Sequence, residues 1–383
     1  MRRYGILILL PVLLSVTPCA AQEAGYDDGP SLEKLLPPSL AQNLDVNAWG
    51  WASYTPAIPH NRENYWDLDL ALGATQRFGD RVAATADVHF LDSNGSPSGE
   101  LQQAFVTAQL SEKSATLLTI GKFNASFGVE PRNAWDRFGG STSLLFGAEP
   151  QDLLGIMLTQ PLGNTHLTAR PFVAANFQGK SNLEGPPSAG IMLEYRPVHE
   201  LDLALTNWIG PGFKAQEYDA DSDSDADEKD TPSSAEYASE EEDEVYSSSI
   251  LENWNGPDFY AERGGTLYFI DAKFTWLATA ALTVEGEGLL ALNGPSGGTL
   301  GWGGLLLLAN YDLTDRWRIF ARWSFLDDNQ GIVTGVAQHR HEISGGAAFE
   351  LYRGLELRAE YRHDFSDETG DLDALSAHVT FAY

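Results

Sequence analysis

The chain has 383 residues, and its 24 lysines and arginines face 54 aspartates and glutamates, which gives a formal net charge of −30 at pH 7. An acidic balance of this size argues against nucleic-acid binding, because a protein that binds phosphates needs a basic surface. The single cysteine, Cys19, excludes a disulfide framework, a cysteine zinc site and an iron–sulfur cluster.

The N-terminal segment has the pattern of an export signal. A positively charged start and an apolar stretch over 4–16 precede the small residues Cys19-Ala20-Ala21. This order predicts a signal peptide over 1–21, since the apolar stretch is too short to span a membrane as a helix. The alternative, a lipid anchor on Cys19, is disfavoured by the proline before it. Residues 22–42 are then expected to form a periplasmic tether.

From residue 43 onwards, apolar and polar side chains alternate in runs of about ten residues. The runs at 81–90, 266–276 and 355–364 show this period most clearly. Period two over this length is typical of tilted membrane strands with a polar, wet inner face. A soluble sandwich also alternates, but here the apolar faces carry aromatics near their ends, as the interfacial girdle of a membrane barrel does. These aromatics are Trp66, Phe90, Tyr268, Trp276, Tyr361 and Phe381.

The runs predict sixteen strands, and tight turns alternate with long loops between them. This pattern indicates an all-β fold, an antiparallel transmembrane β-barrel over 43–383 with short periplasmic turns and long extracellular loops. The strands are predicted to start near residues 43, 64, 81, 100, 115, 151, 165, 188, 201, 264, 281, 299, 316, 339, 354 and 373. The long loops are predicted at 55–63, 92–99, 124–150, 178–187, 210–263, 293–298, 327–338 and 365–372. The alternation of apolar and polar residues is lost in the twelfth strand, where Leu305 to Leu308 are four consecutive leucines.

The last strand carries a further signal. Its apolar residues share one parity and end on an aromatic, which resembles the closing-strand signal that the insertion machinery of bacterial outer membranes reads. These residues are Leu375, Ala377, Val379, Phe381 and Tyr383.

Several short motifs resemble the outer-membrane beta-barrel porin-2 (OmpL-like) family. They are Ile120-Gly121-Lys122-Phe123, Gly128-Val129-Glu130, Leu153-Leu154-Gly155-Ile156, Phe172-Val173-Ala174-Ala175-Asn176, Leu205-Thr206-Asn207-Trp208-Ile209-Gly210 and the turn Tyr311-Asp312-Leu313-Thr314-Asp315-Arg316-Trp317. The resemblance covers most of 43–383. It implies an outer-membrane barrel and a porin, without defining a substrate.

The predicted loop 124–150 is the candidate for a pore constriction. It is long and rich in glycine and aromatics, and it places four charged residues within eight positions. In general porins a loop at this point bends inward and sets opposing charges across the pore. The alternative is an outward loop whose charges are solvated or paired locally. The constriction candidates are Glu130, Arg132, Asp136 and Arg137.

Strands 13 to 15 give a second candidate, a charged wall of the lumen. Their polar parity carries arginines and carboxylates in similar numbers, which is consistent with a solute track and equally with a structural ladder of ion pairs. Because the two signs nearly cancel, this wall does not predict ion selectivity. The candidate wall residues are Arg318, Arg322, Arg340, Glu342, Arg358, Glu360 and Arg362.

The loop 210–263 contains a strongly acidic segment, with fourteen acidic residues and one lysine over 217–244. So few apolar residues cannot offset the entropy of ordering, so we predict a disordered extracellular loop. An EF-hand is excluded, because Ala226 and Pro232 stand where the motif requires glycine and glutamate. No firm metal site follows. Weak, diffuse cation binding is the alternative at Asp219, Asp221, Asp223, Asp225 and Asp227.

These patterns predict a porin in the outer membrane of a Gram-negative-type bacterium, open to passive diffusion of small hydrophilic solutes or ions. No cofactor and no enzymatic step are expected, and the expected partners are outer-membrane lipid, lipopolysaccharide, the barrel insertion machinery and further copies in a homotrimer. Two alternatives stay open: a non-conducting barrel that acts as a surface-binding or adhesion scaffold, and an outer-membrane lipid hydrolase. The second is weakened because the one Gly-x-Ser-x-Gly match, at 294–298, lies in a predicted loop between two strands, whereas a nucleophile elbow requires a turn from a strand into a helix.

Overall fold

The computed structural model describes residues 43–56, 64–93, 96–125, 127–175, 187–213, 263–294 and 299–382. Within these ranges, no helix has the length and apolar character needed to cross a membrane. The chain forms β1 (Leu44–Thr55), β2 (Tyr65–Phe78), β3 (Val82–Ser93), β4 (Ser96–Ser111), β5 (Thr116–Asn124), β6 (Asp152–Pro161), β7 (Leu167–Ala174), β8 (Ser188–Val198), β9 (Leu201–Phe213), β10 (Arg263–Leu277), β11 (Leu282–Asn293), β12 (Thr299–Asp312), β13 (Trp317–Asp328), β14 (Gln338–Tyr352), β15 (Leu355–Ser366) and β16 (Leu372–Ala382). The predicted signal peptide, the tether, Tyr383 and the aspartates Asp219, Asp221, Asp223, Asp225 and Asp227 lie outside the described residues.

Each strand pairs antiparallel with its neighbours in sequence, and β1 pairs with β16 to close the barrel. In the closing pair, Gly50 lies opposite Phe381. The predicted fold class is therefore confirmed, and every predicted strand start lies within four residues of the observed one.

The period of two places alternate side chains on the outside and the inside of the barrel. In β15, Leu357 and Tyr361 are exposed on the outer face, whereas Arg358 and Glu360 are buried in the lumen. Most of the predicted girdle aromatics are exposed on the outer face, as contact with lipid requires. These are Trp66, Phe90, Tyr268, Trp276 and Tyr361.

Two predicted loops differ from the structure by four residues at one end. A long loop was expected at 92–99, but β3 ends at Ser93 and β4 begins at Ser96, and these two residues pair with each other. The intervening Asn94-Gly95 is a dipeptide that favours two-residue hairpin turns, so the register continues almost to the end of the hairpin. The loop expected at 210–263 begins later, because β9 continues to Phe213.

The inner face of the barrel is not polar throughout. In β12, Leu305 and Leu307 are exposed on the outer face, while Leu306 and Leu308 are buried on the inner face. This is the run that blurred the parity of the sequence pattern. Buried apolar side chains of β5–β7 and β9–β13 form one cluster with apolar residues of the connections that follow β5 and β13. A strand that is apolar on both faces is buried on both sides, here by lipid outside and by protein inside.

The inner covering comes mainly from the connection between β5 and β6. This segment, residues 125–151 and here called the lumen loop, contains a 3₁₀ turn over Phe146–Ala148. Its residues Phe127, Leu144, Leu145 and Phe146 are buried. The loop therefore folds into the barrel and does not extend outward.

A smaller connection between β13 and β14 also packs inward, with Ile332 fully buried. Asp328 holds it, accepting backbone hydrogen bonds from Ile332 at 2.9 Å, Val333 at 3.0 Å and Thr334 at 2.7 Å. This connection therefore lines the rim of the lumen on the side of β13 and β14.

Candidate functional site

The lumen loop reaches walls far from the strands that carry it. It leaves β5, and β5 and β13 stand eight places apart in the ring of sixteen strands, so they lie on opposite walls. Backbone groups of the loop hydrogen-bond to β10, β11, β13, β14 and β15. The loop therefore crosses the lumen and is attached on its far side.

Arg322 of β13 is the centre of the far attachment. Its side chain is 1% exposed and pairs with Glu130 of the loop at 2.9 Å, Glu342 of β14 at 2.6 Å and Glu360 of β15 at 3.3 Å. It also donates to the Ser141 carbonyl at 2.8 Å and the Ser141 Oγ at 2.7 Å. A single buried guanidinium thus joins two wall carboxylates, one loop carboxylate and the loop backbone.

The carboxylates of the wall also accept hydrogen bonds from the backbone of the loop. Glu360 accepts hydrogen bonds from the backbone of Gly140 at 2.7 Å and Ser141 at 2.8 Å. A side chain at Gly140 would not fit here, because its Cβ would lie 2.0 Å from His378 Nε2 of β16. Glu342 accepts from the backbone of Leu144 at 3.2 Å. Each buried carboxylate is thereby matched to donors of the loop, as buried charge requires.

Two further arginines bind carbonyl groups of the loop. Arg358 of β15 donates to Ala134 at 2.6 Å, Trp135 at 2.9 Å and Gly139 at 3.0 Å. Arg362 donates to the Thr142 carbonyl at 2.6 Å. These contacts hold irregular backbone in a fixed course, because buried carbonyl groups need donors.

The remaining wall candidates belong to the ladder of ion pairs. Arg318 of β13 pairs with Glu356 of β15 at 2.7 Å, and Glu356 also pairs with Arg358. Arg340 of β14 lies 3.9 Å from Asp364 of β15. These two arginines are partly exposed, and their ion pairs in the described part of the chain are with other wall residues.

The four constriction candidates do not act alike. Glu130 is buried, binding Arg322 and accepting from the Ser143 backbone at 2.8 Å. Arg137 is buried beside Phe146, with the guanidinium carbon 5.8 Å from the ring centre. Burial lowers the pKa of Arg137 to about 9, an effect that Glu130 opposes, so the side chain stays charged at neutral pH. The loop interior therefore contains charges of both signs.

The other two candidates lie nearer to water. Arg132 pairs with Glu100 of β4 at 2.8 Å and with Asp152 at the start of β6. Asp136 is exposed and accepts from Asn133 Nδ2 at 3.2 Å. The sequence thus located the charged part of the loop, but spacing alone did not distinguish the two buried groups from the two accessible ones.

A second attachment, on β10 and β11, was not anticipated. The Gly128 backbone donates to Asp271 at 3.2 Å, and the Val129 backbone donates to Glu287 at 3.0 Å. Lys273 donates to the Gly128 carbonyl. The inward parity of Asp271 and Lys273 was readable in the sequence, but the partner segment lies 143 residues away from Asp271. Local patterns do not encode contacts at such a separation.

Glu149 completes this attachment from the end of the lumen loop. It is buried, and its carboxyl group contacts that of Glu287. Burial and the carboxylates of Glu287 and Asp271 raise the pKa of Glu149 well above its ordinary value. Protonation of this carboxyl group therefore stabilises the lumen loop in its attached position.

Replacing Glu149 with glutamine is expected to reduce the pH dependence of stability. Because its pKa is higher in the folded than in the unfolded state, the folded state binds more protons between the two values, and stability falls as the pH rises through that range. Glutamine has no such proton to lose. The urea midpoint of unfolding in detergent, measured at about pH 5 and about pH 8, should fall less in Glu149→Gln than in the wild type. The exposed Glu112→Gln variant is the control, and an equal fall in both variants would contradict the assignment.

Apolar side chains of the wall support the loop between the two attachments. We call this group, Phe172, Trp208, Phe269 and Trp302, the apolar seat. Phe127 packs against Phe172, Trp208 and Phe269, with ring centres 5.7 to 6.2 Å apart. Trp302 of β12 is fully buried and donates from Nε1 to the Ala148 carbonyl at 2.9 Å. The sequence signal for this seat is the loss of alternation in β12, over residues 305–308.

Among the residues that the structure describes, no group of three or more His, Cys, Asp or Glu side chains is arranged to hold a metal ion. The site is thus a network of ion pairs and hydrogen bonds that fixes a loop across a barrel. Geometry of this kind narrows a channel and places charges along it.

A family model described as "Putative beta-barrel porin-2, OmpL-like" matches residues 60–381. The chain belongs to this family. The resemblance of the short motifs to this family is thereby confirmed. The protein is a porin of the outer membrane of Gram-negative bacteria. A search of curated proteins finds no match.

Solved structures share the fold of this porin at low sequence identity. OprB of Pseudomonas putida, at high pH, has a TM-score of 0.60 at 9% identity and covers 89% of this chain and 94% of its own. The outer membrane channel DcaP of Acinetobacter baumannii has a TM-score of 0.59 at 9% identity, with 89% and 97% covered. OmpT of Vibrio cholerae, folded in vitro and in trimer form, has a TM-score of 0.51 at 9% identity, with 89% and 99% covered.

Proposed function

We propose that this porin allows passive diffusion of small hydrophilic solutes and ions through a lumen that the lumen loop narrows. The observation that carries the proposal is the attachment of the loop to the far wall through Arg322 and Glu360. A loop held this way reduces the cross-section of a sixteen-strand barrel, which is otherwise wide enough for an aqueous channel.

The four constriction candidates take two roles in this proposal. Glu130 and Arg137 are buried and hold the loop, whereas Arg132 and Asp136 reach water and face the passing solute. The exposure of Asp136 and the partial exposure of Arg132 support this division.

Electrical recording in planar bilayers tests the function. Mature protein, refolded in detergent and added to one side, should produce stepwise current increases that scale with the salt concentration. Protein unfolded by heating before addition is the control and should produce none. A folded barrel that inserts into the bilayer and remains silent would overturn the proposal and would favour a surface-binding scaffold.

We propose that transport involves no covalent step. Ser376 Oγ and His378 Nε2 are 2.8 Å apart, which invites comparison with a serine hydrolase. Both residues, however, are on the inner face of β16, away from lipid, and His378 Nδ1 has no hydrogen-bond partner in the described part of the chain. A hydrolase needs a third group at this atom to orient the imidazole.

A further part of the proposal concerns the export, membrane insertion and assembly of the porin. We propose that 1–21 is removed on export, that 22–42 is a tether, and that the insertion machinery reads the closing strand β16. Lipid and lipopolysaccharide would contact the outer face, and the porin would assemble as a homotrimer. The size of the detergent complex, measured by light scattering, tests the trimer, and a monomer mass would contradict it.

A further inference from the structure

The wall formed by β13, β14 and β15 has little net charge. Below Asp328 at the rim, its inner face carries five arginines and five carboxylates, and each arginine forms an ion pair with a carboxylate. Any preference for ions of one sign must therefore come from other walls. The arginines are Arg318, Arg322, Arg340, Arg358 and Arg362, and the carboxylates are Glu342, Glu350, Glu356, Glu360 and Asp364.

The carboxyl group of Asp87, on β3, has no arginine or lysine among its close neighbours in the described part of the chain. It is half-buried and accepts a hydrogen bond from Gln103 Nε2 at 2.5 Å. The imidazole of His89, which lies 3.3 Å from Asp69, is near it. Its hydrogen-bond donor is neutral, so the negative charge persists into the lumen.

Glu285 of β11 is a comparable carboxylate. It is half-buried and accepts from Thr275 Oγ1 at 3.1 Å. The nearby Lys273 also faces Asp271 and Glu287, so one ammonium group serves several carboxylates. This wall therefore has more carboxyl groups than ammonium groups.

The two walls lie across the lumen from each other. Strands β3 and β11 are eight places apart in the ring of sixteen, and each carries a half-buried carboxyl group on its inner face. Negative potential from both sides attracts cations and repels anions within a narrow passage.

Building on the proposed diffusion function, we infer that the pore prefers cations to anions, and that Asp87 and Glu285 on opposite walls set this preference. The permeant class is small hydrated cations. The charged wall of β13–β15 shapes the passage and does not select the sign of the ion.

The reversal potential across a bilayer under a KCl gradient tests this inference. We expect the wild type to favour K⁺ over Cl⁻, and we expect Asp87→Asn with Glu285→Gln to lower that permeability ratio by roughly fivefold. The two single variants should each produce part of the change. The wild-type preference should weaken between about 0.1 M and about 1 M KCl, because salt screens the fixed charges.

A matched control removes the same charge outside the lumen. Asp80→Asn with Asp315→Asn alters two exposed residues of short turns and should leave the permeability ratio unchanged. All variants retain the acidic segment 217–244, so a change in the ratio reports the lumen. Heat-shifted migration on gels confirms that each variant is folded.

The outcomes separate this inference from the proposed function. Stepwise currents with no preference or an anion preference would overturn the inference and leave the porin function standing. A cation preference that the double variant retains would show that other groups select the ion. Silence from folded wild-type protein would overturn the proposed function, and the inference with it.

Discussion

Replacing Arg322 with methionine is expected to destabilise the barrel by about 3–5 kcal/mol and to release the lumen loop. The side chain is almost fully buried between Glu130, Glu342 and Glu360. Methionine fills much of the volume but leaves three buried carboxylates without the charge that joins them. They would then repel one another, and the loop carboxylate is the one that is able to move away.

Two measurements check this expectation. Urea unfolding in detergent gives the change in stability, and single-channel recording gives the change in the pore. We expect a lower midpoint together with larger and noisier currents, because a loop that leaves the wall widens the passage. A loss of stability with unchanged conductance would show that Arg322 stabilises the wall without holding the loop.

Arg318→Met is the matched control, since it removes the same side chain from the same strand. Arg318 is about a quarter exposed, and its partner Glu356 keeps a second arginine, Arg358. A partly exposed pair of this kind contributes about 0–1 kcal/mol. Equal losses in the two variants would contradict the special role of Arg322. Adding Glu342→Gln to Arg322→Met removes one uncompensated charge and should restore part of the stability.

The strands could be predicted from the sequence because their signal is local. Alternation in β15 assigns Leu357 to lipid and Arg358 to the lumen without knowledge of any partner strand, and the structure agrees. The exception, the hairpin of β3 and β4, was missed because polar residues from Ser96 onward read as loop, although Asn94-Gly95 indicates a tight turn.

The attachments of the loop could be predicted only in part. The sequence named both Glu130 and Arg322, but their pairing depends on how a loop crosses the barrel, and 192 residues separate them. Asp271 and Glu287 were missed for the same reason. Contacts of this range follow from the closed geometry of the whole sheet and not from any local pattern.

The apolar seat of the loop could not be predicted from alternation, because alternation distinguishes two faces of a strand and does not show that a loop packs on the inner one. Leu306, Leu308 and Trp302 face inward and are buried, and Leu306 and Trp302 belong to one apolar cluster with residues of the loop. The loss of alternation in β12 was therefore evidence about the lumen loop. A strand that is apolar on both faces within an amphipathic barrel indicates that something folded lies against its inner side.

Trp302 gives the most direct test of this seat. Trp302→Ala is expected to cost about 3–5 kcal/mol, because it removes a fully buried aromatic ring and leaves a cavity. It also removes the donor to the Ala148 carbonyl, which anchors the 3₁₀ turn of the loop. Trp302→Phe keeps most of the ring and loses the hydrogen bond, so we expect a loss of about 1 kcal/mol. Urea unfolding and single-channel recording measure both consequences.

Trp276→Ala is the matched control for the same residue type, since Trp276 is 48% exposed on the outer face of β10. It loses contact with lipid but leaves no internal cavity, so its conductance should match that of the wild type. If the loop depends on the apolar seat, Trp302→Ala alone should increase the current and its noise. Should both variants unfold alike with wild-type conductance, the inner apolar face would only line the wall, and the charged attachments would hold the loop without it.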